Sequence, residues 1–128
     1  MPIPTPPKVA LLGENHTYRP PPFADRSELL AAIYRFRDRD DAAIMRIMSA
    51  TVGMCTRLGE RSGVSYVKSG CDVLTYGGAV YGWLHEQGAG DGDIVAAASV
   101  LLDAVKLTHF PTQDEVREAV GNSDGAAG

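Results

Sequence analysis

No proline interrupts the chain between Ala24 and His109, whereas residues 1–23 hold seven of the eight prolines. Proline removes a backbone donor and breaks helix interiors, so the two stretches cannot share one architecture. Other absences narrow the function. Apolar runs reach only a few residues, far short of the roughly 20 a transmembrane helix needs, and no membrane span is expected. The first residues lack the basic region and apolar run of a secretory signal. Only two cysteines occur, Cys55 and Cys71. They are expected as free thiols in a reducing, cytoplasmic setting. A basic excess is missing too: 12 Lys and Arg stand against 16 Asp and Glu, for a net charge of −4. That balance disfavours a nucleic-acid partner.

Catalytic signatures are also missing. No G-x-S-x-G, H-E-x-x-H or P-loop pattern occurs in the chain. His16, His85 and His109 lie in separate segments and share no metal-ligand spacing with each other or with the cysteines. Near helix ends, His85 and His109 are accounted for by the helix dipole, which favours a cation there. Cys71 and His85 are fourteen residues apart, about 21 Å along one helix, so they cannot form a nucleophile and base pair there. Cys55 sits on an apolar stripe, where a buried thiol is inert. The reading therefore assigns no catalytic residue, no metal site and no cofactor, and no enzyme is expected.

What is present suits one small domain. The chain has 128 residues, 45% of them apolar and 22% charged, enough for a real core. Residues 1–23 read as a Pro-rich arm and short hairpin, 24–120 as a helical domain and 121–128 as a flexible tail. The fold class is mainly α, with four larger helices, a short last helix and the small β-hairpin. Lys8–Leu12 is a strand candidate, Gly13-Glu14-Asn15 supplies turn residues, and His16–Arg19 returns as a second strand. Pro20-Pro21-Pro22 then stops pairing.

Asp25 and Glu28 read as a cap and its box partner, followed by an apolar face of Leu29, Leu30, Ile33, Tyr34 and Phe36. The mixed-charge tract Arg35–Asp41 ends this helix as a solvated, ion-paired surface. A second helix is expected from about Asp41 to Leu58, carrying Ile44, Ile47, Met48, Thr51, Cys55 and Leu58, with Gly59 just past its end. Glu60–Gly70 reads as a polar loop with an extended piece at Val64–Val67. A third pattern runs from about Cys71 to Gln87, with the stripe Val73, Tyr76, Gly77, Val80 and Leu84. Asp93 caps a fourth helix whose buried face is Ile94, Val95, Ala98, Leu101, Leu102 and Val105. Thr112–Glu115 is a capping box for a short last helix with Val116 and Val120.

Three features point to contacts. Gly77, Gly78 and Gly82 sit inside a predicted helix, where each glycine costs about 1 kcal/mol against alanine. Thr75, Gly78 and Gly82 share one face, for close approach either of a partner or of a helix within the monomer. Tyr81 and Trp83 lie off the core stripe, and both residue types are enriched at interface hot spots. They reach either a partner or another helix. Val9, Leu11, Tyr18 and Phe23 place considerable apolar surface in a hairpin too small to stand alone. That surface either binds another chain, by strand addition to an open edge, or folds back on the chain's own helices. Val9, Leu11, Tyr18, Phe23, Gly78, Tyr81, Gly82 and Trp83 are thus the candidate protein-binding residues.

The opening KVALLGENHTYRPPPFADRSELLAA, the middle YGGAVYGWLHEQGA and the closing PTQDEVREAV with its small polar tail resemble small phage proteins near the tail genes. In order and texture the chain is similar to the tail assembly chaperones of bacteriophages. The resemblance implies a non-enzymatic factor of virion morphogenesis that binds tape-measure or tail-tube proteins through helical surfaces, self-associates as a homo-oligomer and works in the host cell cytoplasm. It carries over no catalytic residue. The end 121–128 also resembles C-termini from which such genes frameshift into a longer product. A structural virion component, such as a head–tail connector subunit present in the particle, is the alternative. A small host- or DNA-modulating regulator is a third, which the charge disfavours.

Overall fold

The computed structural model describes residues 5–36 and 40–109. Along the chain run β1 (Lys8–Leu11), β2 (Glu14–Thr17), α1 (Phe23–Phe36), α2 (Asp41–Cys55), α3 (Leu58–Ser62), α4 (Val73–Glu86) and α5 (Asp91–His109). The fold is mainly helical with one two-stranded antiparallel hairpin, as the proline distribution implied. Residues 1–4, the centre of the Arg35–Asp41 tract, the capping box at Thr112–Glu115, the helix carrying Val116 and Val120, and the 121–128 tail lie outside the described residues.

The helix α2 is central and packs on α1, α3, α4 and α5. Its start is chemical: the Asp40 carboxylate accepts from the Ala43 N–H at 3.1 Å, occupying one of the four donors a helix start leaves free. Ser49 and Thr51 in its interior and Thr56 just past its end are fully buried, and each hydroxyl donates to a carbonyl four residues back. Polar groups thus enter the core with their hydrogen bonds made.

The end of α2 departs from expectation. It stops at Cys55 rather than Leu58, because Thr56 takes extended backbone (φ −140°, ψ 171°). The Thr56 hydroxyl donates to the Val52 carbonyl at 2.7 Å and accepts from the Leu58 N–H at 3.2 Å. The chain restarts at once as α3, so Gly59 lies buried inside a helix rather than beyond one. The true left-handed stop is Gly63, at φ 73°. Residues 64–67 are not extended either. The Ser69 and Gly70 N–H groups bond back to Ser65 and Val67 carbonyls, each at 3.0 Å, coiling the loop.

Helix α1 begins two residues before the expected cap. The Pro22 carbonyl accepts its first bond, from the Arg26 N–H at 3.0 Å. Asp25 therefore sits in the first turn, where the dipole still favours an acid. Leu29 and Leu30 are buried, but Tyr34 is 73% exposed and leaves the predicted apolar face. In α4 the Asp72 carboxylate accepts from both the N–H and the hydroxyl of Thr75, and the stripe Val73, Tyr76, Gly77, Val80 and Leu84 is buried as expected. Helix α5 starts at Asp91, so Asp93 is no cap but reaches back to the Gly90 N–H at 3.4 Å. Its expected face is buried except for Val95.

The hairpin turns more tightly than expected, through Leu12-Gly13 alone, with φ 56° and 73°. Both residues being left-handed matches the right-handed twist of the strands, so β2 starts at Glu14, opposite Leu11. Val9, Leu11 and Tyr18 are 3–4% exposed and belong to the same core as the helices. β1 lies on α5, and the Arg19 N–H donates to the Cys55 carbonyl at 2.7 Å. The hairpin folds back on its own chain, the second of the two alternatives open for it, and buries Val9, Leu11 and Tyr18 in the core.

Candidate protein-binding groove

Two glycine faces run along α4, and they do different things. Gly77 lies against α2: a side chain there would collide with the Arg46 carbonyl, and its Cβ would come within 3.1 Å of the Ala50 Cβ. A Cβ on Gly53 would collide with the Tyr76 hydroxyl, and one on Gly59 with the Gly53 carbonyl and the same hydroxyl. These three glycines, not Gly78 and Gly82, set the close approach inside the monomer. A Cβ on Gly78 would meet only the flexible Arg46 side chain at 3.6 Å, and one on Gly82 would meet nothing within 4 Å. The face singled out in the sequence therefore does no packing within the chain.

Beside that face a cavity of about 510 Å³ opens along the α2–α4 seam. Ala42, Met45 and Arg46 form its α2 wall; Thr75, Gly78 and Ala79 form the α4 wall, with Tyr81 closing one end. Leu74 completes the lining. Ala42 on one wall and Gly78 and Ala79 on the other are its small residues, between the longer Met45 and Arg46 side chains, and glycine and alanine there leave the α4 backbone accessible to another helix. Arg46 is exposed, and among the described residues it pairs with no carboxylate.

Tyr81 is held in place. Its hydroxyl donates to Asp91 Oδ1 at 2.8 Å, and the His85 ring meets the same oxygen at 2.9 Å. The Tyr81 and His85 rings stack edge to face at 4.8 Å. The bonds from His85 and then Tyr81 hold the Asp91 carboxyl below its usual 3.8, and the Asp91 bond raises the Tyr81 phenol. This exposed cluster ties the end of α4 to the start of α5 and orients Tyr81 over the groove.

Of the other predicted residues, Trp83 is half-buried against the core. Phe23 is 51% exposed at the head of α1, with the Arg26 guanidinium 5.5 Å from its ring centre. The groove thus unites Gly78 and Tyr81, with Gly82 one turn further on; Phe23 lies elsewhere. Sequence reasoning missed Ala42, Met45 and Arg46. Their only signal was an arginine interrupting the apolar stripe of α2.

Both thiols are free, Cys55 buried and Cys71 exposed. Burial pushes the Cys55 thiol up to about 12. Among the described residues, no helix is long and apolar enough to cross a membrane. No family model matches this chain, and no curated protein or solved structure matches it.

Proposed function

We propose that the chain is a non-enzymatic protein-binding factor of phage tail morphogenesis, similar to a tail assembly chaperone, and that it receives a helix of a tape-measure or tail-tube protein in the α2–α4 groove. The observation that carries the reading is the groove itself: an α4 wall opened by Gly78 and Ala79, open space at Gly82 one turn on, and an oriented tyrosine at one end. An amphipathic helix docks in such a groove through residues spaced three and four apart. Arg46, exposed at the groove's edge, selects a helix carrying an acidic residue by a charge-assisted bond. The family resemblance supplies the identity of the partner, and the open α4 face also suits self-association.

Gly82→Leu tests this directly. The side chain projects into open space one turn along the α4 face, so the monomer keeps or slightly raises its melting temperature while a helix lying along that face is obstructed. Co-expression with a tape-measure protein should give a complex with the parent chain and none with Gly82→Leu. Equal recovery of the complex with both chains refutes the docking site. Detection of the chain in finished particles would favour the connector reading, since a chaperone leaves before completion.

A further inference from the structure

A second cavity, of about 440 Å³, is bounded by Asn15, His16, Thr17, Arg19 and Arg57. The register explains what lies there. Lys8 to Leu11 face Thr17 to Glu14 in order, and the Tyr18 N–H bonds the Pro7 carbonyl at 2.9 Å. Bonded and non-bonded pairs alternate in an antiparallel ladder. Tyr18, His16 and Glu14 therefore bond inward to β1, and Asn15 and Thr17 turn their N–H and C=O groups outward. The cavity lies along that outer edge. At Arg19 the edge is already occupied, because its N–H is taken by the Cys55 carbonyl at 2.7 Å. The edge is thus open at Asn15 and Thr17 and closed one pair later.

The side chains lining the closed end carry two guanidiniums, Arg57 unpaired among the described residues and Arg19 shared with Glu60. No carboxylate bounds the cavity. Arg57 is exposed and pairs with no carboxylate among the described residues. Arg19 shares an exposed pair with Glu60 at 3.0 Å and donates to the Thr56 carbonyl at 3.3 Å. Glu14 is engaged by Arg61 at 2.6 Å and lies 4.0 Å from the His16 ring. The buried His16 ring meets the Leu11 carbonyl through Nε2 at 3.0 Å. Two guanidiniums in a protein of net charge −4 therefore border a short strand edge.

We infer that this edge binds the carboxyl-terminal end of an extended peptide. The peptide pairs with the outward groups of Asn15 and Thr17, and its terminal carboxylate rests on Arg57 and Arg19. Main-chain pairing gives affinity without demanding a particular side-chain sequence, and the guanidinium fork matches a carboxylate. A strand passing straight through would meet the Arg19–Cys55 bond, so the occupant ends there. This site stands apart from the α2–α4 groove and does not depend on it.

The test uses the full chain, labelled with ¹⁵N, titrated with N-acetyl-Thr-Val-Thr-Val-Thr as the free acid and as the C-terminal amide. The free acid should shift the Asn15 and Thr17 amide signals, with at least tenfold weaker binding by the amide. Arg57→Gln should weaken the free acid by a similar factor without changing the melting temperature. Thr17→Pro removes an outward donor but no bond to β1, and in this variant the peptide should no longer shift the Asn15 amide signal. Equal binding of acid and amide overturns the inference. So does the absence of Asn15 and Thr17 shifts at millimolar peptide, or inorganic phosphate competing as well as the peptide. Gly82→Leu should leave these shifts unchanged, so the two sites succeed or fail separately.

Discussion

Alanine at Gly77 and alanine at Gly82 make a matched pair that tests how this molecule is held together. Both positions lie inside α4, so both substitutions gain the helix propensity that glycine lacks, roughly 0.5–1 kcal/mol. At Gly82 nothing lies within 4 Å of the new Cβ, and the gain should appear intact. At Gly77 the new Cβ meets the Arg46 carbonyl carbon at 2.6 Å and the carbonyl oxygen closer still. The obstacle is backbone of the central helix, which cannot rotate away as a side chain would. Relief requires α4 to back off from α2, loosening the seam that also holds Ala50 and Tyr76. Overpacking costs typically about 1–3 kcal/mol, and the upper end applies to backbone. Gly77→Ala should therefore lose about 2 kcal/mol net, and the two variants should differ by about 3 kcal/mol. For a domain of this size that gap is a melting difference of about 10 °C. Urea and thermal denaturation followed by circular dichroism measure it. If Gly77→Ala is as stable as Gly82→Ala, the close α2–α4 approach is wrong.

Three further outcomes follow from the same geometry. Thr56→Val keeps the shape but leaves the buried Leu58 N–H without its acceptor, and should cost about 1–3 kcal/mol in urea denaturation. The carboxyls of Glu14, Asp72 and Asp91 are held below their usual values, chiefly by bonds from Arg61, Thr75 and His85 respectively. A lowered carboxyl stabilises the fold above its ordinary range, and the contribution is lost as pH falls through the lowered value. The urea midpoint should thus hold from pH 7 to about 5 and drop below about pH 4. Asp72→Ala should cost about 1 kcal/mol at pH 7 and flatten that acid limb. Finally, a thiol reagent at pH 8 should titrate one cysteine in the folded chain, Cys71, and both in denaturant, since burial holds Cys55 protonated. Rapid reaction of both in the folded protein would contradict the packing around α2.

Local chemistry made much of this fold legible in one dimension. The proline boundary, the α4 stripe and most of the buried face of α5 each depend on residues within a turn or two, and these appear where they were read. Tertiary structure decided the rest. A glycine's role depends on what stands opposite it, so the sequence alone could not tell that Gly77 meets the α2 backbone while Gly82 faces open space. Thr56 lay inside the bounds expected for one continuous helix; only the neighbouring α3 gave its hydroxyl a second partner where α2 ends early. The apolar residues of the hairpin required covering, which composition showed, but α5 rather than a second chain covers β1. The groove's α2 wall and the two-arginine strand edge join residues distant in sequence. Periodicity records which side of an element is apolar; it holds no record of which element comes to lie against it.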